Sequence, residues 1–429
     1  MNRALQAAAW LLVVGVANAQ APGEGPTETD VGQATPPPGT EASAKPRGEL
    51  YGFAQLDMGY NAGTINEDWF DVMRPTQLPN SEEQKNGLGP GGEKFPTEGN
   101  TYASVRQSRL GVKGWFPTDV GEVFTIFEIE MFGVGVDAGQ TTIRLRHAYG
   151  ELGAFGAGQY WSPFMDIDVF PNSQEYWGPN GMPFFRNVQV RWMPLRDKNE
   201  LTFALERPGA SRDGADDDIE EILGARNIRA RYPVPDLSAS YKYNAGWGYV
   251  RVGAILRRIE WEDDTGDGFD LSGDETGWGV NFSTNIKMGP NDSVLKFLVI
   301  HGAGVENYMN DAGGDIGIEG SADNLVNAKA EVIPLTGTVL FYDLYWSDRW
   351  SSTIGFSTVD KQNPSGQAAN TFEKGRYALV NLQFHPTSNV MYGGELQYGK
   401  RENFDDGWDY DAFKVQFSAR YNFSFGLGG

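Results

Sequence analysis

The 429-residue chain has no cysteine and only three histidines, His147, His301 and His385. The first absence excludes disulfide scaffolds, thiol nucleophiles and cysteine-ligated zinc or iron–sulfur centres, and three imidazoles cannot build most histidine metal sites. No metal and no cofactor is therefore expected, and Ser-His catalysis has little to work with. Basic residues are also scarce, since 35 Lys and Arg stand against 57 Asp and Glu, a net charge of −22. A nucleic-acid binder needs the opposite footprint, so nucleic acid is excluded as a partner class. No window approaches the roughly 18 consecutive apolar residues of a membrane-crossing helix. What is abundant is glycine (55) together with 12 Trp, 18 Tyr and 25 Phe, a mixture that suits many strands and turns. The mean hydropathy of −0.44 taken by itself suggests a soluble protein.

Residues 1–19 carry one cation, Arg3, an apolar stretch from Ala7 to Val16, and the small-x-small sequence Ala17-Asn18-Ala19, which together read as a cleaved signal peptide. Residues 20–48 hold Pro36-Pro37-Pro38 and no apolar period, and read as an extended Pro/Gly-rich periplasmic linker.

The last strand is the most informative. Phe413, Val415, Phe417, Ala419, Tyr421, Phe423 and Phe425 alternate with Lys414, Gln416, Ser418, Arg420, Asn422 and Ser424. Period two places every apolar residue on one face, and the run is longer than the five or six residues usual in soluble sheets. A tilted membrane strand needs about 9–11 residues, so the apolar face is assigned to lipid. The same rhythm recurs at 50–60, 102–116, 120–134, 141–151, 155–160, 185–193, 200–207, 237–243, 249–262, 276–287, 293–302, 335–345, 351–360, 376–384 and 390–400, which makes sixteen strands in all. Short turns and long polar segments join them alternately, with both ends of the series on the short-turn side. The fold class expected is an all-β transmembrane antiparallel barrel over 49–425, closed because lipid cannot solvate an unpaired edge. The long segments, 61–101, 161–184, 208–236, 263–275, 303–326, 361–375 and 401–410, are mostly acidic and become the extracellular loops. Asp263 to Gly268 faintly resembles a calcium loop but lacks the remaining ligand spacing.

The polar parity then lines a lumen. It sends Arg106, Arg109 and Lys113 inward from the second strand, with a bulge at Gln107-Ser108, and Arg144 and Arg146 inward from the fourth, opposite outward Ile143, Leu145 and Tyr149. Arg191, Lys414 and Arg420 follow from later strands. Two readings fit these cations: a wall selecting anions, or ordinary pairing with Glu128 and Glu130 of the third strand. The two are compatible, since opposed fixed charges make a transverse field. Residues 161–184 do not alternate and are too aromatic for a simple exposed loop. They read as a segment inserted into the barrel as a constriction, with Asp166 and Asp168 facing the arginines, the alternative being a loop packed outside. Tyr160, Trp161 and Phe164 would anchor it or stack on sugar faces.

The run Gly158-Gln159-Tyr160-Trp161-Ser162-Pro163-Phe164-Met165-Asp166-Ile167-Asp168, continued at Gly178-Pro179-Asn180-Gly181-Met182-Pro183-Phe184-Phe185-Arg186, resembles the DcaP-like family of Gram-negative outer-membrane porins. Arg106-Gln107-Ser108-Arg109-Leu110-Gly111, Ile143-Arg144-Leu145-Arg146-His147-Ala148-Tyr149-Gly150 and Tyr51-Gly52-Phe53 agree with it. The resemblance implies a trimeric sixteen-stranded outer-membrane channel for small, often anionic solutes such as dicarboxylates. It also implies conduction past Arg109, Arg144, Arg146, Arg186 and Arg191, with Asp166 and Asp168 at the inserted loop. Some members carry a coiled coil before the barrel where this chain has its Pro-rich linker. The partners expected are a homotrimer, outer-membrane lipid and lipopolysaccharide, and small anionic or polar solutes. A sugar or phosphate porin and an adhesive or binding barrel are the alternatives. An embedded hydrolase is disfavoured because His147 falls on the lipid-facing parity.

Overall fold

The computed structural model describes residues 45–87, 98–133, 142–209, 228–264, 266, 270, 272–319 and 329–428. The signal peptide and most of the linker, together with much of the faint calcium motif, lie outside the described residues.

The chain forms a closed antiparallel barrel. Its strands are β1 (Arg47–Asn61), β2 (Asn100–Ser104 and Arg109–Thr118), β3 (Gly121–Glu130), β4 (Arg144–Leu152), β5 (Phe155–Trp161) and β6 (Arg186–Arg196). They continue as β7 (Asn199–Glu206), β8 (Ile228–Arg231 and Asp236–Ala245), β9 (Gly248–Asp263), β10 (Gly273–Lys287) and β11 (Val294–Ala303). The last are β12 (Pro334–Ser347), β13 (Trp350–Lys361), β14 (Phe372–Thr387), β15 (Val390–Asn403) and β16 (Asp409–Leu427). Two of the sixteen are each interrupted once, and β16 pairs back with β1 from Gly48 opposite Leu427 to Asn61 opposite Lys414. Closure gives every strand two neighbours, so no backbone edge is left for lipid.

Alternation decides which way each side chain points. Phe127, Val190, Leu256, Val280, Phe356, Leu396, Val415 and Phe417 are exposed on the outside, while Glu128, Gln189, Arg257, Asn281, Ser357, Gln397, Lys414 and Gln416, each next to one of them, are buried inside. An apolar exterior around a polar interior is what a lipid-embedded barrel requires. Two-residue turns such as Gly153-Ala154 close the short end, where Gly153 takes φ 58, a conformation that costs glycine nothing.

On β4 the alternation breaks. Opposite β3, Glu128 faces His147 and Ile129 faces Leu145, so Arg146 is an extra residue in the ladder. This bulge turns both Arg146 and His147 inward and reverses the parity beyond them. It corrects two expectations: His147 is buried inside rather than facing lipid, and Tyr149 is buried within hydrogen-bond reach of Glu151 while Ile143 and Leu145 stay exposed. On β2 the ladder likewise lapses between Ser104 and Arg109, burying Arg106 and Gln107 together.

The interior is not empty. Ile65, Met73, Leu78, Phe164, Val169, Met182, Val305 and Tyr308, from three long segments, pack with inward residues of the wall such as Leu298, Val339 and Tyr377 into one apolar cluster. Residues 64–78 and 304–312 thus fold inward beside residues 162–184, and nothing in the alternation announced the first two.

Candidate functional site

The inserted segment 162–184 can be followed by its bonds to the wall. Ser162 Oγ donates to Glu206 of β7 at 2.7 Å, and the Phe164 carbonyl accepts from Asn281 Nδ2 of β10 at 2.6 Å. The Asp166 carboxylate accepts from Tyr249 of β9 at 2.8 Å and Ser283 of β10 at 2.5 Å, and Asp168 pairs with Lys242 of β8 at 2.5 Å. The Phe170 carbonyl takes Lys296 of β11 at 2.6 Å, and Asn172 meets Asp343, Thr353, Asn381 and Gln383 of β12 to β14. The Gln174 carbonyl then accepts from Gln107 at 2.9 Å, Gln416 at 3.2 Å and Gln55 at 3.3 Å, on β2, β16 and β1. The segment therefore circles the inner wall before crossing back to β6. On the return, the approach to β12 and β13 is so close that a Cβ on Gly181 would sit 2.1 Å from the Thr358 carbonyl, so only glycine fits.

Asp166 and Asp168 are thus bound to β8, β9 and β10, two or more strands round the ring from the arginines of β2, β4 and β6 that they were expected to face. Phe164 is fully buried and Tyr160 and Trp161 nearly so, with Tyr160 stacked on Tyr149 at 4.6 Å and Trp161 edge-on to Phe184 at 5.2 Å. In this arrangement the three rings are packing surfaces.

The stretch from β2 to β6 is different. Glu128 and Glu130 sit side by side on the inner face of β3 with no exposed side-chain surface, and Arg146, equally buried, donates to both, Nε to Glu128 at 2.6 Å and Nη1 to Glu130 at 2.7 Å. Arg109 of β2 lies 3.8 Å from Glu128 and 3.6 Å from Glu130, and Arg144 lies 4.0 Å from Glu130. Arg186, at the start of β6, rests over the Trp161 ring at 5.1 Å, and its Nη1 has no hydrogen-bond partner among the described residues. Four guanidinium groups therefore gather about two carboxylates among the described residues. Such buried charges persist because each carboxylate is multiply hydrogen-bonded and paired. Arg144 and Arg186 line a small cleft together with Tyr176, Trp177, Phe184, Phe185 and Asn310.

The other expected cations lie nearby in varied settings. Arg191 lies 5.3 Å from the Tyr149 ring and 5.0 Å from the Tyr160 ring stacked on it and donates to Gln189 at 2.8 Å, Lys113 lies over Tyr51 at 4.6 Å and 4.0 Å from Glu49, and Arg420 donates to Gln55 at 2.5 Å. Arg106 departs from the expectation of a lumen-facing cation: it is buried, paired with Asp71 of the first long segment. Sequence reasoning missed three groups altogether. Arg74 pairs with Asp311 at 3.0 Å while its guanidinium lies 4.2 Å from Trp69 and 4.1 Å from Trp177, joining all three inward segments. Tyr176 donates its hydroxyl to Glu130 and stacks on Phe132. Glu175 accepts from the Met73 and Gly178 amides, and burial lifts its carboxyl to about 7 against the pull of Lys414. The aromatic content of 162–184 and of 64–78 was the available signal.

The profile described as DcaP outer membrane protein matches residues 80–423. Among solved structures, the outer membrane channel DcaP of Acinetobacter baumannii superposes with a TM-score of 0.70 at 20% identity, covering 90% of this chain and 99% of that one. OmpT of Vibrio cholerae, in a trimer form, gives 0.53 at 13% identity over 88% of this chain and 100% of its own. An anion-selective porin from Comamonas acidovorans gives 0.51 at 11% identity over 88% and 97%. No curated protein matches the chain.

Proposed function

The chain belongs to the DcaP outer membrane protein family and is a porin-type barrel of the outer membrane, and from that premise we propose that it forms a water-filled passage for passive diffusion of small hydrophilic anions, dicarboxylates among them. The observation that carries this reading is the gathering of Arg109, Arg144, Arg146 and Arg186 on β2, β4 and β6, beside a cleft that two of them line. Fixed charges lining a narrow aqueous path admit counter-ions and repel co-ions. Arg109, Arg144, Arg146 and Arg186 are the core of that lining, flanked by Lys113, Arg191 and Arg420, while residues 161–184 constrict the lumen. Asp166 and Asp168 add to the preference by being elsewhere, since their charge is occupied at β8 to β10 and does not cancel the arginines.

The exposed apolar belt rests in lipid, with lipopolysaccharide in the outer leaflet, and the trimer form of the Vibrio relative supports a homotrimer here. Planar-bilayer recording of the purified protein in a KCl gradient tests the function. A reversal potential of anion-selective sign is expected, and absence of conductance or a cation preference overturns the reading.

A further inference from the structure

We propose that Tyr176 bounds the anion path and sets its width. This rests on the reading of the barrel as a passage and adds to it the residue that fixes the size limit.

Tyr176 is the point at which the inserted segment touches the cationic wall. Its ring lies parallel to Phe132, just beyond β3, at 3.9 Å and 9°. Its hydroxyl donates to Glu130, and Arg146 Nη1 lies 3.3 Å from the same oxygen. Burial first, and then Glu130, raise the phenol above its ordinary range, so it stays a neutral donor. The two sides of this ring differ. On one side the interior is filled: Phe132 packs at 6.5 Å from Trp69, Trp177 meets Trp69 edge-on at 4.8 Å, Arg74 lies against both indoles, and Arg106 covers Phe132 at 4.4 Å. Trp69, Phe132, Arg74 and Arg106 are buried in this packing, and Trp177 reaches from it to the cleft. On the other side of the Tyr176 ring is the cleft between Arg144 and Arg186. Tyr176 thus stands between this packed part of the lumen and the part lined by cations, held by a stack and a charge-assisted bond. A phenylalanine keeps the stack but cannot donate to Glu130, and an alanine loses both contacts.

The experiment compares wild type, Tyr176→Phe and Tyr176→Ala in two assays, single-channel conductance and entry of neutral sugars of increasing size into proteoliposomes. Pore cross-section governs both, so Tyr176→Ala is expected to raise conductance about twofold and to admit larger sugars, whereas Tyr176→Phe stays close to wild type. Reversal potential keeps its sign in both variants because no charge has changed. Heat-modifiable gel mobility checks that each variant is a folded barrel, and Phe132→Leu, which removes the platform from the wall side, is expected to reproduce the widening. Conductance and sugar cut-off identical to wild type in folded Tyr176→Ala overturn the proposal. Neutral sugars are blind to charge, so a loss of anion preference would overturn the functional reading without touching this result.

Discussion

Two regions of one barrel use the same inward parity for opposite ends. From β7 round through β16 to β1, inward polar groups are consumed in holding the inserted segment. Asn281, Thr353, Asn381, Gln383 and Gln416 all spend amide or hydroxyl donors on its backbone, Tyr249 and Ser283 hydrogen-bond Asp166, and Lys242 pairs with Asp168. From β2 to β6 the inward groups include guanidiniums gathered about Glu128 and Glu130, and the segment meets this cluster at Tyr176. Neutral short donors satisfy a buried backbone without adding field, whereas arginines keep a field that the lumen experiences. The contrast teaches that one wall gathers fixed cations while the other takes up the loop's acids, the division on which the proposed selectivity depends.

The contrast breaks most severely at Arg146. Replacing it by Met leaves Glu128 and Glu130, with no exposed side-chain surface, short of their best-placed donor. Removing one partner of a buried ion pair costs about 3–5 kcal/mol. The expected outcome is a lower temperature for loss of heat-modifiable mobility, together with weakened anion preference. Unchanged thermal stability would show that Arg109 and Arg144 hold the two carboxylates without help.

The next effect is on selectivity without a comparable loss of stability. Arg144→Gln with Arg186→Gln removes two cleft-lining charges, of which Arg144 stands 4.0 Å from Glu130 where Arg146 stands at 2.7 Å. A unit charge about 4 Å from a passing ion in water is worth about 1 kcal/mol, so the pair amounts to about 2 kcal/mol, roughly thirtyfold in anion permeability, with the cation shifted the opposite way. Reversal potential measures it directly. The matching change on the other wall, Lys242→Gln, leaves Asp168 uncancelled and is expected to move the ratio in the same direction but by less, because that pair is partly exposed.

How much of this was legible beforehand follows from the same physics. Barrel strands announce themselves because lipid and water impose period two on every spanning segment, and Phe413 to Phe425 shows it without interruption. The bulge at Arg146 did not, because Arg146 and His147 are both polar and an inserted polar residue leaves no mark on an alternating pattern until the partner strand is seen. Tyr149 was misplaced for that reason alone. Asp166 and Asp168 belonged visibly to a special segment, but which wall they reach depends on chain path, and that is set by contacts with residues more than seventy positions away. Arg74 and Tyr176 escaped notice because a lone cation in a polar loop and one aromatic among many look ordinary until the first long segment is found folded inward beside Trp69 and Trp177.

The anchored wall makes a pH prediction that the cationic wall does not. Glu175 is seated between the Met73 and Gly178 amides with Tyr377 at 3.3 Å, and burial, opposed by Lys414, sets its carboxyl at about 7, above the ordinary 4.5. The seated loop therefore binds this proton more tightly than a loop lifted into water. Below pH 4.5 both states are protonated and seating is independent of pH. Between 4.5 and 7 the lifted state loses its proton first, so seating weakens as pH rises, and above 7 the dependence levels off. Each tenfold change in proton affinity released on lifting is worth about 1.4 kcal/mol. Current noise from the inserted segment is accordingly expected to grow from pH 4.5 to 7 in the wild-type channel and to stay flat in Glu175→Gln, which keeps the size of the side chain and cannot ionise. The same rise in the Gln variant would move the titration to another group, of which the neighbouring Glu395, bonded to the Gln174 and Glu175 amides, is the first to replace.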